Sequence, residues 1–211
     1  VTQEGGRPVI VLQRLHQVRI AIREKIEFFV FDLSRLEAAL NIAKRKKRKA
    51  GIHIEFETGF NRTGFVNKEF PGVLKILNNY KNNFKVEGMC THYAGAESIA
   101  NYYRIQKQIK KFQNDCNWFS SRGIVPKLKH TACSAAAISY PKTRMDMVRI
   151  GILQYGFWPR KETLLKYLDK QKEKHDPLDR VISWKSKIMS IKKVKTGEYV
   201  GYGTSFLAQR D

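Results

Sequence analysis

The stretch IHIEFETGFNRTGF, residues 52 to 65, runs from alternating apolar residues into a turn that sets Arg62 between Gly59 and Gly64. Residues 52–58 have the texture of a strand. An arginine directly beyond its end is either on a surface turn or aimed at an anion. Outward from this segment, further strand-type runs fall at 8–12, 26–32, 86–92, 127–132 and 147–152. Helical patterns lie between most of them. The clearest places Tyr102, Ile105, Ile109, Phe112, Cys116 and Phe119 at spacings of three and four, with Gly123 as a C-terminal stop. Others cover 33–46, opened by a capping-box pattern of Ser34 and Glu37, 70–80, and 134–140, ended by Pro141. Strand and helix in alternation imply parallel strands with helices outside, either a doubly wound sheet or a (β/α)8 barrel.

After Pro159 the texture changes. A charged segment containing KYLDKQKEKHDP (166–177) leads into alternating VISWKSKIMSIKKV (181–194) and then TGEYVGYG (196–203), which reads as a linker followed by antiparallel strands of a second domain. The chain has 211 residues, 42% of them hydrophobic, enough for one sizeable core. No run of apolar residues is long enough for a membrane span, and the N-terminus lacks the pattern of a signal peptide, so a cytoplasmic protein is expected. Val1 is not an initiator methionine, and both ends read as cut from a longer chain. Cys90, Cys116 and Cys133 are odd in number and lack metal-ligand spacing, so reduced thiols and no metal are expected. The net charge of +21 would attract anionic partners. Its densest cluster, KRKKRK at 44–49, follows a helical pattern and suits a helix C-terminus. No aromatic-plus-basic RNA signature or recognition helix accompanies it, so nucleic acid is not an expected partner.

In parallel α/β folds functional groups sit at the carboxyl ends of strands. Those ends carry Glu55, Glu57 and Arg62, then Thr91 and His92, then Cys133 and Ser134, then Arg149 and Gly151. Ser134 opens a helix and Gly151 with Ile152 opens the next turn, the place where such folds hold a phosphate on backbone N–H groups. Taken singly, Ser134 reads first as an N-cap and Gly151 as a turn glycine. Arg149, ending an apolar strand in VRIGI, must meet an acceptor or a ring nitrogen, because an unpaired buried charge is costly.

Five segments, FETGFNRTGF (56–65), EGMCTHYAGAES (87–98), HTACSAAAISYP (130–141), MDMVRIGILQYGFWP (145–159) and KKVKTGEYVGYGTSF (192–206), resemble alanine racemase, a pyridoxal phosphate enzyme, in the family's order and near its spacing. The resemblance implies an α/β chain carrying strands three to eight of a (β/α)8 TIM-type barrel over 1–160, a charged linker over 161–180, and the beginning of an antiparallel β-domain over 181–211. It implies that Arg149 binds the pyridine nitrogen, that Ser134, Gly151 and Ile152 hold the phosphate, and that His92 links Arg149 to a catalytic tyrosine, Tyr202. In the family that tyrosine comes from the partner subunit of a homodimer. Arg62 matches the arginine that contacts the cofactor's phenolic oxygen and the substrate carboxylate. Where many members carry a carbamylated lysine this chain has Glu55, expected to pair with and orient Arg62, and Cys133 replaces the usual asparagine. The Schiff-base lysine, second partner of the tyrosine in a two-base mechanism, belongs to a first barrel strand that nothing in these residues resembles. The implied activity is interconversion of L- and D-alanine for peptidoglycan. Three other readings stand beside it: a racemase of broader specificity, a non-enzymatic pyridoxal phosphate-binding barrel, against which residues 181–203 argue, and a basic nucleic-acid-binding relic.

Overall fold

A computed structural model describes residues 9–12 and 15–211. Five strands, β1 (Val9–Ile10), β2 (Glu27–Val30), β3 (Ala50–Glu55), β4 (Phe84–Cys90) and β5 (Leu128–His130), form one sheet in that order. All four pairings are parallel. Sequential order without reversal is the arrangement of a barrel wall rather than of a doubly wound sheet, where the order reverses at a switch point. The structure thus decides between the two alternatives that periodicity left open.

Helices α1 (Leu15–Arg23), α2 (Leu33–Lys46), α3 (Phe70–Asn79), α4 (Tyr102–Ser120), α5 (Ser134–Ser139) and α6 (Lys161–Asp169) follow in alternation. The apolar faces of α1 to α4 share a core with Phe28, Val30, Ile52, Ile54 and Met89 of the strands, while Ala135, Ala136 and Ala137 of α5 join Ile105 of α4, Tyr93 and Ala132 in a second cluster. Because side chains alternate along a strand, Glu27 and Phe29, and His53 and Glu55, face the opposite side of the sheet. That side carries the polar residues.

Local signals explain most of the boundaries. In α4, Ile105, Phe112, Cys116 and Phe119 are buried at helical spacing, and Gly123 at φ 83° lets Ile124 N–H return to Phe119 O at 3.1 Å. The last turn of α2 carries Lys44, Arg45 and Lys46, as its charge pattern implies. Its start differs from the expected capping box at Ser34. Asp32 is the N-cap, its carboxylate accepting from Arg35 N–H at 2.7 Å, while Ser34 donates its hydroxyl to the same carboxylate at 2.8 Å. An anionic carboxylate at the first turn interacts with the N-terminal dipole as well as with an N–H, an advantage over a serine hydroxyl.

Other expectations are corrected. The run 147–152 forms no strand. It is reduced to one bridge between Cys133 and Arg149, with Arg149 N–H donating to Ala132 O at 2.9 Å, and the backbone breaks away at Gly151 (φ −115°, ψ −88°). The segment 161–180, expected as a linker, opens with α6. Thr163 there is fully buried and the Glu162 carboxylate accepts from Ile99 N–H at 2.9 Å. The chain divides into two compact units, the first ending at Arg180 and the second being Val181–Asp211.

In the second unit, β6 (Tyr199–Val200) and β7 (Phe206–Leu207) make a short antiparallel pair. The alternating run 181–194 forms no strand, because among the described residues no segment pairs with it, and Trp184 and Met189 are 94% and 98% exposed. No helix among the described residues is long and apolar enough to cross a membrane.

Candidate active site

The site is built where β3, β4 and β5 end. The loop after β3 is held by its own backbone: Phe65 N–H donates to Glu55 O at 2.8 Å and Glu57 N–H to Phe65 O at 3.0 Å. The return requires glycine at Gly64, since φ is +120° and a Cβ would lie 2.4 Å from Glu57 N. The Glu57 carboxylate accepts from the Gly59 and Asn61 N–H groups inside the loop. Arg62 is exposed at the tip, its guanidinium 4.3 Å from the centre of the Phe60 ring. Buried Glu55 accepts from the Thr63 hydroxyl at 3.1 Å. The expected ion pair between Glu55 and Arg62 is therefore absent: the short glutamate stem points into the protein, where burial raises its pKa, while the arginine lies outward on an aromatic face.

At the end of β4, the Thr91 hydroxyl ties two strands together, donating to Phe56 O at 2.8 Å and meeting the Thr58 hydroxyl at 2.8 Å. His92 packs edge-on against Phe60 with ring centres 5.3 Å apart. Burial first, then the charges of Arg149 and Arg62, lower its pKa to about 4.

Beyond β5 the chain turns into α5 at Cys133, whose side chain makes no cap hydrogen bond. Ser134, 4% exposed, accepts through Oγ from Gly151 N–H at 2.9 Å, so the starts of α5 and of the 3-10 turn Ile152–Tyr155 meet at one hydroxyl. The hydroxyl's own hydrogen remains to donate. Around Gly151 there is open space, with no atom within 4 Å of where a Cβ would sit.

Arg149 joins these pieces. Its Nη2 donates to Thr91 O at 2.6 Å and Thr131 O at 3.4 Å; its Nη1 donates to His130 O at 2.9 Å and to His130 Nδ1. The Nε–H makes no hydrogen bond among the described residues, and no carboxylate among them forms an ion pair with the guanidinium. One charged donor is left for a ligand. The imidazole that Arg149 meets is His130, where the resemblance had implied His92. The reason is adjacency: Arg149 bridges to the β5 side of the sheet, and His130 ends that strand.

Six of the nine singled-out residues thus come together. Arg149, Ser134, Gly151, Ile152 and Cys133 are contiguous around the β5 end, and His92 feels the Arg149 charge. Glu55 and Arg62 border the β3 loop without touching each other. Tyr202 belongs to the second unit, where it is 100% exposed between Gly201 and Gly203, both at positive φ.

The family model described as "Alanine racemase, N-terminal domain" matches residues 2–159, three quarters of the chain. The chain belongs to the alanine racemase family. Named relatives include the alanine racemase of Desulforamulus reducens, 34% identical over 87% of this chain and 46% of that protein, and that of Clostridium tetani, 32% identical over 92% and 48%. The chain spans about half the length of the curated relatives it matches. Among solved structures, the alanine racemase of Clostridium difficile 630 is similar with a TM-score of 0.69 at 28% identity, covering 96% of this chain and 51% of that one. The alanine racemase of D-cycloserine-producing Streptomyces lavendulae, at 23% identity with a TM-score of 0.77 over 97% of this chain and 52% of that one, shares the fold.

Three residues of the alanine racemase sheet escaped sequence reasoning: Glu27, His53 and His130. The available signal was polar residues at alternate positions of otherwise apolar strands, where a buried polar group must find a partner.

Proposed function

We propose that this chain is the cofactor-binding portion of a pyridoxal phosphate-dependent racemase that interconverts L- and D-alanine. The observation that carries the reading is Arg149: held through both Nη atoms on backbone carbonyls and an imidazole, it keeps Nε–H free within the same cluster as the Ser134–Gly151 junction. A phosphorylated pyridine needs such a donor set, a fixed donor for the ring nitrogen and hydroxyl and backbone donors for the phosphate. Bound there, pyridoxal phosphate would supply the electron sink that lets an amino acid lose its α-hydrogen.

The chain's residues take the remaining parts. Ser134, through its hydroxyl hydrogen, and Ile152 would hold the phosphate, with Gly151 leaving room for it while its own N–H orients Ser134 Oγ, and with Cys133 beside them in place of an amide donor. Arg149 offers a hydrogen bond without giving up its proton, because a guanidinium does not deprotonate in proteins. Arg62 receives the substrate carboxylate, a charge-assisted contact for which its position on the open β3 loop leaves it available. Glu55 supports that loop through Thr63. His92 stays neutral beside two cations and so adds no further positive charge near the cofactor. The partner subunit's Tyr202 takes or gives the α-proton on one face of the substrate, and a lysine expected outside residues 1–211 serves the other. Such a protein works as a homodimer in the cytoplasm and supplies D-alanine for peptidoglycan.

The test uses pyridoxamine 5′-phosphate, which keeps the ring nitrogen and phosphate but has no aldehyde to react with surface lysines. The folded chain should bind it at one equivalent. The Ser134→Asp variant, which sets a carboxylate against the phosphate, should lose at least about tenfold in affinity. A folded wild-type chain that takes up no ligand sinks the cofactor reading. In the complete protein, failure to interconvert L- and D-alanine, followed by optical rotation, sinks the substrate.

A further inference from the structure

Behind Arg149 lies a line of buried polar side chains that the proposed reaction does not use. His130 Nε2 meets His53 Nδ1 at 2.8 Å, and His53 Nε2 meets Glu27 Oε2 at 2.9 Å. Both histidines are fully buried, Glu27 is 9% exposed, and Phe29 packs against both rings. The residues come from β2, β3 and β5, so the line crosses the polar side of the sheet from Glu27 to Arg149.

The sheet is shaped around this line. Pairing between β3 and β4 slips at His53: Ile52 lies opposite Val86, but His53 lies opposite Gly88, so Glu87 is bulged out. Opposite His53 only glycine fits, because a Cβ on Gly88 would lie 2.1 Å from the ring's Nδ1. A bulge and a glycine at one point of a buried strand pair weaken the ladder, and both make room for one imidazole.

The direction of every proton in the line follows from its two ends. The Arg149 guanidinium only donates, so His130 Nδ1 accepts and its hydrogen is on Nε2. His53 Nδ1 must then accept, and its hydrogen is on Nε2, donated to the acceptor-only Glu27 carboxylate. Both rings are therefore neutral; an imidazolium at either would set N–H against N–H. Burial lowers the pKa of each in the same sense, outweighing the Glu27 carboxylate at His53.

We propose that Glu27 and His53 are positioning residues for Arg149: through two imidazoles in the Nε2–H form, the carboxylate keeps His130 an acceptor and fixes the guanidinium with Nε–H left for the cofactor's ring nitrogen. The proposal rests on the reading of Arg149 as the residue serving that nitrogen. A carboxylate placed directly on Arg149 would hold it as firmly, but would occupy its donors and neutralise its charge where a ligand needs both. Two neutral rings transmit the orientation and keep the anion at a distance.

The test is imidazole 15N NMR on the 15N-histidine-labelled chain without ligand at pH 7.5, joined to pyridoxamine 5′-phosphate affinity. In the wild type, His53 and His130 should both show a protonated Nε2 and a bare Nδ1. Glu27→Gln keeps shape but replaces an acceptor-only group by an amide that can also donate. The proposal expects mixed tautomers at His53 and His130 and about tenfold weaker binding, the loss that goes with one charge-assisted hydrogen bond. Glu87→Gln removes a neighbouring buried carboxylate outside the line and should leave tautomers and affinity unchanged. An imidazolium or an Nδ1–H form of His130 in the wild type overturns the relay even where ligand binds. Equal effects of the two glutamine variants overturn it too, because buried charge alone would then account for the result. Correct tautomers in a chain that binds no ligand overturn the cofactor reading, and with it the proposal, since Arg149 would then have no ring nitrogen to serve.

Discussion

At the scale of single residues, the site is organised by what Arg149 does to its surroundings. Its charge is the second-largest cause, after burial, of the depression of both His92, to about 4, and His130, to about 2. A histidine whose folded pKa lies below its unfolded value binds protons more readily when unfolded, so its contribution to stability is complete above pH 6.5 and is lost as pH falls from there toward the folded pKa. His53 shifts in the same sense. The chain should therefore lose stability steadily between pH 6.5 and about 4, before most carboxylates protonate. Urea unfolding at several pH values measures this, and NMR titration of His92 should give a midpoint near 4, rising in Arg62→Ala. A midpoint near 6.5 would show that His92 is solvated and not held against Phe60. Arg149, Ser134 and Gly151 were legible in the sequence because strand ends and helix starts are marked by pattern. The identity of the histidine beside Arg149 was not, because His92 and His130 both follow or end a strand and only the spatial order of the sheet says which is adjacent.

At the scale of elements, periodicity placed α2 at its observed bounds and α3, α4 and α5 to within a residue, because their apolar stripes recur at the helical period. Caps were harder to read. Ser34 and Glu37 have the spacing of a capping box, yet Asp32 is also a cap residue two positions earlier, and the choice depends on where β2 releases the chain. Asp32→Ala should cost about 1 kcal/mol in thermal or chemical unfolding, the usual worth of an N-cap. Ser34→Ala should cost a fraction of that, since its hydroxyl contacts only the cap carboxylate. The reverse order would return the cap to Ser34. The bulge at His53 lies further from sequence. Strand alternation in AGIHIE is regular, and nothing in it announces that the partner strand slips by one residue. That slip exists to seat a ring, a demand arising across strands rather than along one.

At the scale of the whole molecule, charge and connectivity set what can be expected. A field of +21 favours approach of a dianionic phosphate ligand and weakens as salt screens it. The sequence showed that charge without its use, since a surface distribution is a property of the fold. The division at Arg180 has a sharper consequence. Residues 181–194 make no backbone hydrogen bond among the described residues and carry Lys185, Lys187, Lys192 and Lys193, all exposed. Cleavage by trypsin requires several residues of backbone freed into an extended form, which this segment offers without opening any ladder. The basic cluster at 44–49 is denser in target residues. Yet its backbone is engaged, with Lys47 N–H bonded to Lys44 O and Arg48 N–H to Ala43 O at 3.1 Å each, and Arg48 hydrogen-bonded to Arg23 O. Brief digestion followed by mass spectrometry should therefore show first cuts after Lys185 to Lys193, with the unit ending at Arg180 surviving as one body. First cuts within 44–49 would mean that the end of α2 opens more readily than its hydrogen bonds imply. Protection of 181–194 would mean that the alternating run finds a partner strand, and that the second unit is more ordered than its own contacts require.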